Sequence, residues 1–256
     1  MLKKLVVFAI CLLFLSQAQI FAGDKKPDMG DVEKNLKETF PKFAITDIKE
    51  SALEGLYEVT AGDMVFYFSP KGYLFFGEIW TKDGKNLTAE KRERIALVKI
   101  QSKLDEIKKL AVRLGPEDAK ITIIEVSDPD CPYCRKASAF FNDKKDIARY
   151  VIFSPLVQIH PDATMKSMHI LCSSSQAQAY KEVYGGAAVP QLSEQCKDKS
   201  ASVMAAHNKI AAELGVKGVP AFWILNGDKK KVRHVSGANI PQITETLKNF
   251  QGEKAK

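Results

Sequence analysis

The sequence predicts a mixed α+β / α/β chain: a small N-terminal α+β domain, a helical linker, and a larger C-terminal α/β domain. Three observations carry this reading. Short strand-like runs separated by turn residues fill residues 43–80. From Leu97 to Leu114 apolar residues recur at alternating spacings of three and four, one stripe of a long helix. Beyond them the apolar run Ile121-Thr122-Ile123-Ile124-Glu125-Val126 leads into Cys131-Pro132-Tyr133-Cys134, which opens a stretch of helical pattern to Phe141.

The first 22 residues read as an export signal. Lys3 and Lys4 form a positive start, and Leu5–Leu15 is an apolar run too short to span a bilayer comfortably. Small residues follow, with cleavage expected after Ala18 or Ala22. Cys11 lies inside the apolar run without the small residue before it that a lipidation site needs, so it is expected to leave with the signal. The alternative is an uncleaved membrane anchor. Removal leaves about 234 residues, enough for one large or two modest domains. The formal charge of the whole chain is +7. Its lysines are scattered among acids, as in Lys91-Arg92-Glu93-Arg94, with no basic stripe interleaved with stacking aromatics, which argues against a nucleic-acid partner.

Residues 23–87 form the small domain. Asp31–Phe40 reads as a helix stopped by Pro41. Strand-like runs follow at Phe43–Lys49, Leu56–Ser69 (broken at Ala61-Gly62-Asp63) and Tyr73–Trp80, with turns at Pro70-Lys71-Gly72 and Lys82-Asp83-Gly84. The domain has neither Cys nor His. It is short for an independent core and is expected to bury apolar surface against a partner. Met64, Phe66, Phe68, Phe75 and Phe76 are candidates for that surface, and each could equally be ordinary core.

Residues 88–116 form the linker helix, with Thr88 as N-cap and Lys91 where a capping box would need Glu. Leu97, Ile100, Leu104, Ile107, Ala111 and Leu114 make its stripe, and Gly115-Pro116 ends it. It is either a stalk between domains or a helix lying on one domain's core. Residues 117–256 form the α/β domain: a strand at Lys120–Val126, the cysteine helix, a strand at Tyr150–Val157, and helical stretches at 162–183 and 200–214. A strand at Val219–Leu225 then turns through Asn226-Gly227 into Lys231–Val235, and Ile240–Phe250 closes the chain as an amphipathic helix. That is the order of a thioredoxin-like domain with a helical insertion.

The chemistry points to Cys131 and Cys134. A cysteine at a strand-to-helix junction faces the free N–H groups and partial positive charge of the helix start. Such surroundings lower a thiol's pKa from about 8.5 to as little as about 3.5, giving the thiolate that attacks disulfides. A second cysteine one turn on can attack the mixed disulfide and release the partner. A zinc site needs a second closely spaced pair, which Cys172, Cys196 and the four histidines do not supply. Arg135 after the motif excludes c-type haem attachment. No metal or organic cofactor is needed. In an oxidising compartment the four remaining cysteines suggest two pairs. Cys172–Cys196 would then be a structural bridge worth about 3 kcal/mol; the rival reading is two buried free thiols.

On the order of these parts, on Asp128-Pro129-Asp130-Cys131-Pro132-Tyr133-Cys134, on the Cys172/Cys196 pair and on Gly215-Val216-Lys217-Gly218-Val219-Pro220-Ala221, the chain resembles the periplasmic disulfide isomerases of the DsbC/DsbG type. The resemblance implies a homodimer formed through the N-terminal domain, a V whose two active sites face a cleft that holds misfolded, disulfide-containing proteins. It implies Cys131 as nucleophile, Cys134 as resolving thiol, and Val219-Pro220 as a cis pair meeting substrate together with Pro132 and Tyr133. It also implies a membrane electron donor of the DsbD type that keeps Cys131 reduced.

Three residues depart from the pattern. Val219 stands where the isomerases usually have Thr, as in DsbA-type oxidases. Glu125 stands six residues before Cys131, where thioredoxin and those oxidases carry a buried acid that relays the Cys134 proton; a carboxyl buried in a strand would have a raised pKa and could act as that base, or it could lie at the sheet's edge. Asp128 and Asp130 flank Cys131, and exposed carboxylates there would disfavour the thiolate. With Tyr133 lending no positive charge, a Cys131 thiol of intermediate acidity and a disulfide less oxidising than in the strongest oxidases are expected. The alternatives to an isomerase are a disulfide oxidase or reductase of the same fold, or a chaperone-like binding protein with secondary redox activity.

Overall fold

The structure is a computed structural model that describes residues 27–252. The expected export signal, with Lys3, Lys4 and Cys11, lies outside the described residues. Among the described residues no helix is long and apolar enough to cross a membrane. The chain divides into two compact units. Among the described residues, one holds the chain up to Val59 with Phe66–Phe75, the other Thr60–Val65 with the chain from Phe76 to Gly252.

In the N-terminal part, helix α1 (Met29–Thr39) starts where the Asp28 carboxylate accepts from Gly30 N at 2.8 Å. Strands β1 (Asp47–Glu50), β2 (Tyr57–Ala61), β3 (Met64–Ser69) and β4 (Tyr73–Phe75) follow and form a four-stranded sheet in sequential order. The tight turn between β2 and β3 is made by Gly62, at a φ of 60°. Of the five residues expected to face a partner, Phe66 and Phe68 are fully buried core, packed on Phe43 and Phe40. Met64, Phe75 and Phe76 are exposed. The first strand is shorter than the expected Phe43–Lys49, because Phe43 N donates back to Phe40 O and holds that segment in a turn. The expected strand Tyr73–Trp80 stops at Phe75, and Trp80 keeps only an isolated bridge to Asn86.

Helix α2 (Leu87–Leu110) is capped by Asn86, whose side-chain oxygen accepts from Ala89 N at 2.9 Å. Thr88, expected to be the cap, lies in the first turn, and its buried hydroxyl accepts from Ile79 N. The helix ends four residues before the expected Leu114. Val112–Leu114 instead form β5, antiparallel to β7 (Ile147–Phe153). An open strand edge and two buried apolar side chains, Val112 and Leu114, outweigh helix propensity there. Gly115, at a φ of 84°, brings the chain so close to Ile147 that a Cβ would sit 2.2 Å from its carbonyl oxygen. Ile100 and Ile107 are fully buried in one cluster with Tyr150, Ile152, Trp223 and Leu225, each worth about 1.5–3 kcal/mol. The stripe therefore belongs to the core of the α/β domain, the second of the two readings of this helix.

The C-terminal sheet has the order β5-β7-β6-β8-β9, with β6 (Ile121–Ser127) at its centre, β8 (Ala221–Leu225) and β9 (Val232–Ser236). β6 runs parallel to β7 and antiparallel to β8. Side chains alternate between faces along β6. Ile124 and Val126 pack with α2 and α6 (Glu194–Glu213), whereas Ile121 and Ile123 pack with α3 (Pro132–Phe141) and α7 (Ile240–Gly252). The same alternation puts Glu125 and Ser127 on the α3 face. The expected helical stretch 162–183 is two helices, α4 (Ala163–Cys172) and α5 (Gln176–Tyr184), parted at Ser173-Ser174-Ser175. Three serines in a row favour local side-chain-to-backbone bonds over helix, and Ser175 N donates to the Ser173 hydroxyl. The stretch expected at 200–214 starts earlier, where the Ser193 hydroxyl accepts from Cys196 N.

Candidate active site

The central strand ends at Ser127, the chain turns through Asp128-Pro129-Asp130, and Cys131 becomes the first residue of the helix turn. Cys131 has extended backbone angles and no side-chain cap, and Pro132 follows as the first helical residue, where a missing N–H costs nothing. This sets the Cys131 sulfur at the helix start, where the free N–H groups favour negative charge. The sulfur lies 3.7 Å from Val219 O, its hydrogen-bond acceptor. The Val219–Pro220 bond is cis. Around the sulfur, Pro132 and Tyr133 are exposed, Tyr133 at 63%.

Cys134, one turn further on, is fully buried. Burial pushes its thiol well above the ordinary range; the Ser127 hydroxyl and a backbone bond at Asp128 pull it partly back, while negative charge at Cys131 and Glu125 opposes them. Both cysteines are free, buried thiols, Cys131 5% exposed beside the exposed Pro132 and Tyr133 and Cys134 fully closed off. That asymmetry suits a nucleophile and a thiol that acts only when a mixed disulfide opens the site.

Glu125 lies in the central strand, fully buried, and not at a sheet edge. Of the two readings, a carboxyl buried in the strand or one at the sheet's edge, the first describes its place, and Arg149 of β7 holds it there. Arg149 donates to Glu125 Oε2 from Nη2 at 2.6 Å and from Nε at 3.0 Å, and Nη2 also reaches the Tyr180 hydroxyl at 2.9 Å. Burial works against the Arg149 charge, but Glu125 and Tyr180 outweigh it and hold the guanidinium above its usual range. Glu125 Oε1 has no hydrogen-bond partner among the described residues. Tyr180 and Tyr184, stacked at 3.9 Å, wall the cluster, and the Tyr184 hydroxyl donates to Ser127 Oγ at 2.7 Å.

The two aspartates also differ from expectation, since neither is an exposed carboxylate. Asp128 is fully buried and accepts four bonds. Its Oδ1 takes Asp130 N at 2.7 Å and Cys131 N at 3.3 Å. Its Oδ2 takes Leu156 N at 2.8 Å and His160 Nδ1 at 2.9 Å. Asp130 is neutralised by Arg135 at 3.0 Å and Lys166 at 2.5 Å.

Sequence reasoning missed Arg149, Tyr180, Tyr184, Ser127 and His160. Arg149 left a signal: it is the one charge inside the otherwise apolar Ile147–Phe153, as Glu125 is in its own strand, and buried charges pair. His207 is a second buried polar group outside the chemistry. Its Nδ1 accepts from Phe153 N and its Nε2 donates to Leu110 O, and burial pushes it down to about 4. Cys172 and Cys196 are bonded to each other with Cα atoms 5.4 Å apart, tying the end of α4 to the first turn of α6. Among the described residues no cluster of His, Cys, Asp or Glu could hold a metal ion.

A parallel-centred sheet with a Cys-Pro-Tyr-Cys helix start beside a cis X-Pro bond is the architecture of a thioredoxin-like protein, and residues 107–251 match the thioredoxin-like domain model. The chain belongs to that family, and residues 21–89 match the disulfide bond isomerase protein N-terminal domain. It is 23% identical over 223 residues to the thiol:disulfide interchange protein DsbC of Salmonella typhimurium, covering 84% of this chain and 87% of that one. It is 26% identical over 201 residues to the DsbC of Escherichia coli, covering 75% and 79%. With the thiol:disulfide interchange protein DsbG of Pseudomonas aeruginosa it shares 22% over 193 residues, covering 72% and 74%. Among solved structures, the disulfide interchange protein of Neisseria gonorrhoeae aligns at a TM-score of 0.43 and 22% identity, over 57% of this chain and 98% of that one.

Proposed function

We propose that this thiol–disulfide oxidoreductase works as an exported disulfide isomerase. The observation that carries the reading is the pairing of Cys131, set at a helix start beside the exposed Pro132 and Tyr133, with a Cys134 that burial keeps as a thiol. The Cys131 thiolate attacks a substrate disulfide; a Cys131–S bond forms, and the substrate's other sulfur leaves as a thiolate and takes a proton from water. A different substrate thiolate then attacks the mixed disulfide, forms the new pairing and returns the Cys131 thiolate, with no net oxidation. If no thiolate arrives, Cys134 loses its proton and attacks Cys131. The substrate leaves reduced, and a Cys131–Cys134 disulfide waits for two electrons and two protons from a donor of the DsbD type. Pro132, Tyr133, Val219 and Pro220 line the approach, and Val219 O is free to bond a substrate N–H once Cys131 is engaged.

The reading includes a periplasmic homodimer acting on misfolded disulfide-containing proteins; the relatives' names as thiol:disulfide interchange proteins and the match to a disulfide bond isomerase N-terminal domain support its disulfide chemistry. Edge strand β4, which exposes Tyr73 and Phe75, is suited to pairing with a second copy. A second reading, oxidase or reductase, is favoured by Val219 and Glu125, the latter held by Arg149. Trapping tests the chemistry: Cys134→Ser protein mixed with scrambled ribonuclease should hold a dithiothreitol-sensitive adduct that maps to Cys131. Suppressed aggregation without any covalent adduct would favour the chaperone-like reading instead.

A further inference from the structure

The segment between β7 and α4 has no part in the exchange chemistry, yet it is bonded to it. Ser154 N donates to Ser127 O at 2.9 Å. Leu156 N and His160 Nδ1 share one oxygen of the Asp128 carboxylate, whose other oxygen holds Asp130 N and Cys131 N. Ile159 N and His160 N both return to Leu156 O at 2.9 Å, closing the turn on itself. The tip of this fixed turn carries Val157 and Ile159, exposed at 56% and 68%. Rigid turns normally present polar side chains to water; two exposed β-branched apolar ones on a turn tied through one carboxylate to the Cys131 backbone mark a contact surface.

We propose that turn 154–160 reads the apolar chain beside a substrate's disulfide, and that Asp128 is the positioning residue that registers this turn to Cys131. The inference rests on Cys131 being the nucleophile. The occupant follows from the chemistry. Cysteine is among the most buried residue types, so a mispaired disulfide in an unfolded chain arrives with apolar neighbours, and the mixed disulfide fixes them next to Cys131. A buried carboxylate suits the task because it accepts on both oxygens. An asparagine of the same shape turns an NH2 toward one side and loses at least one backbone donor there, Leu156 N on one side or Asp130 N and Cys131 N on the other.

Two variants of the full chain test this, each with a small disulfide, 5,5′-dithiobis(2-nitrobenzoic acid), and with scrambled ribonuclease. Ile159→Ser, a surface change outside the machinery, should raise KM for ribonuclease by about fivefold, as expected for losing the burial of part of one side chain. Its kcat and its rate with the small disulfide should stay within about twofold, since no group that makes or breaks a bond is touched. Asp128→Asn should lose about tenfold or more in kcat/KM on ribonuclease and clearly less on the small disulfide, because the turn that meets only the larger substrate loses its anchor. An unchanged KM in Ile159→Ser overturns the proposal, as does an Asp128→Asn loss equally large on both substrates. An unsubstituted protein that reacts with neither substrate would mean instead that the thiol chemistry itself was misassigned.

Discussion

Arg149 meets Glu125 through a single carboxylate oxygen, deep in the sheet and on the face that carries the cysteine helix. Removing one partner of such a pair strands a charge, and the cost of that is about 3–5 kcal/mol. Arg149→Met should therefore lower the urea midpoint sharply, while the double change Arg149→Met with Glu125→Gln should recover most of it. Equal instability in single and double variants would mean the pair has no coupling to measure. The apolar strand around Glu125 left burial and a sheet-edge position both open. Its partner was not legible, because the contact depends on how β6 and β7 are registered, with Arg149 opposite Ile123 rather than Glu125. His207 gives a pH signature. Its folded pKa of about 4 lies below the ordinary 6.5, so the unfolded chain binds the extra proton first as pH falls. Stability is full above about pH 6.5 and declines toward pH 4, by about 3 kcal/mol at most from this group. Denaturation at pH 7 and pH 5 in native and His207→Gln protein isolates that slope.

Among the elements, α2 shows how far a periodic pattern can be followed. Its stripe was plain from Leu97 to Ala111, but Leu114 continued the spacing while belonging to a strand. Periodicity cannot distinguish a last helical turn from three residues that find a strand edge, since Val112 and Leu114 satisfy a period of two as well. The cap was misread for a similar reason, as Asn86 and Thr88 are both good caps and only the chain's path selects Asn86. Asn86→Ala should cost about 1 kcal/mol, and Ile107→Ala about 2–5 kcal/mol, in the unfolding of the α/β domain followed by Trp223 fluorescence. A stalk helix standing clear of that core would leave the transition unmoved by Ile107→Ala. The disulfide between α4 and α6 closes a loop of 24 residues. Replacing both Cys172 and Cys196 by Ala should lower stability by about 3 kcal/mol without abolishing exchange at Cys131.

Across the whole molecule, the order of the parts and the cysteine motif were legible because both are local in sequence: strand, turn, helix and a proline-led strand each carry their own signal. The exposed aromatics Tyr73 and Phe75 on an edge strand are consistent with the proposed homodimer; light scattering should give twice the chain mass for the native protein and a shift toward monomer for Phe75→Asp. The central claim is that the protein rearranges disulfides rather than only making or breaking them. Reactivation of scrambled ribonuclease by catalytic amounts of reduced protein in a glutathione buffer, beside Cys131→Ser, tests it most directly. Reactivation that depends on Cys131 is the predicted result. Reduced protein that cannot reactivate scrambled ribonuclease, yet oxidises reduced ribonuclease or reduces insulin, would contradict it.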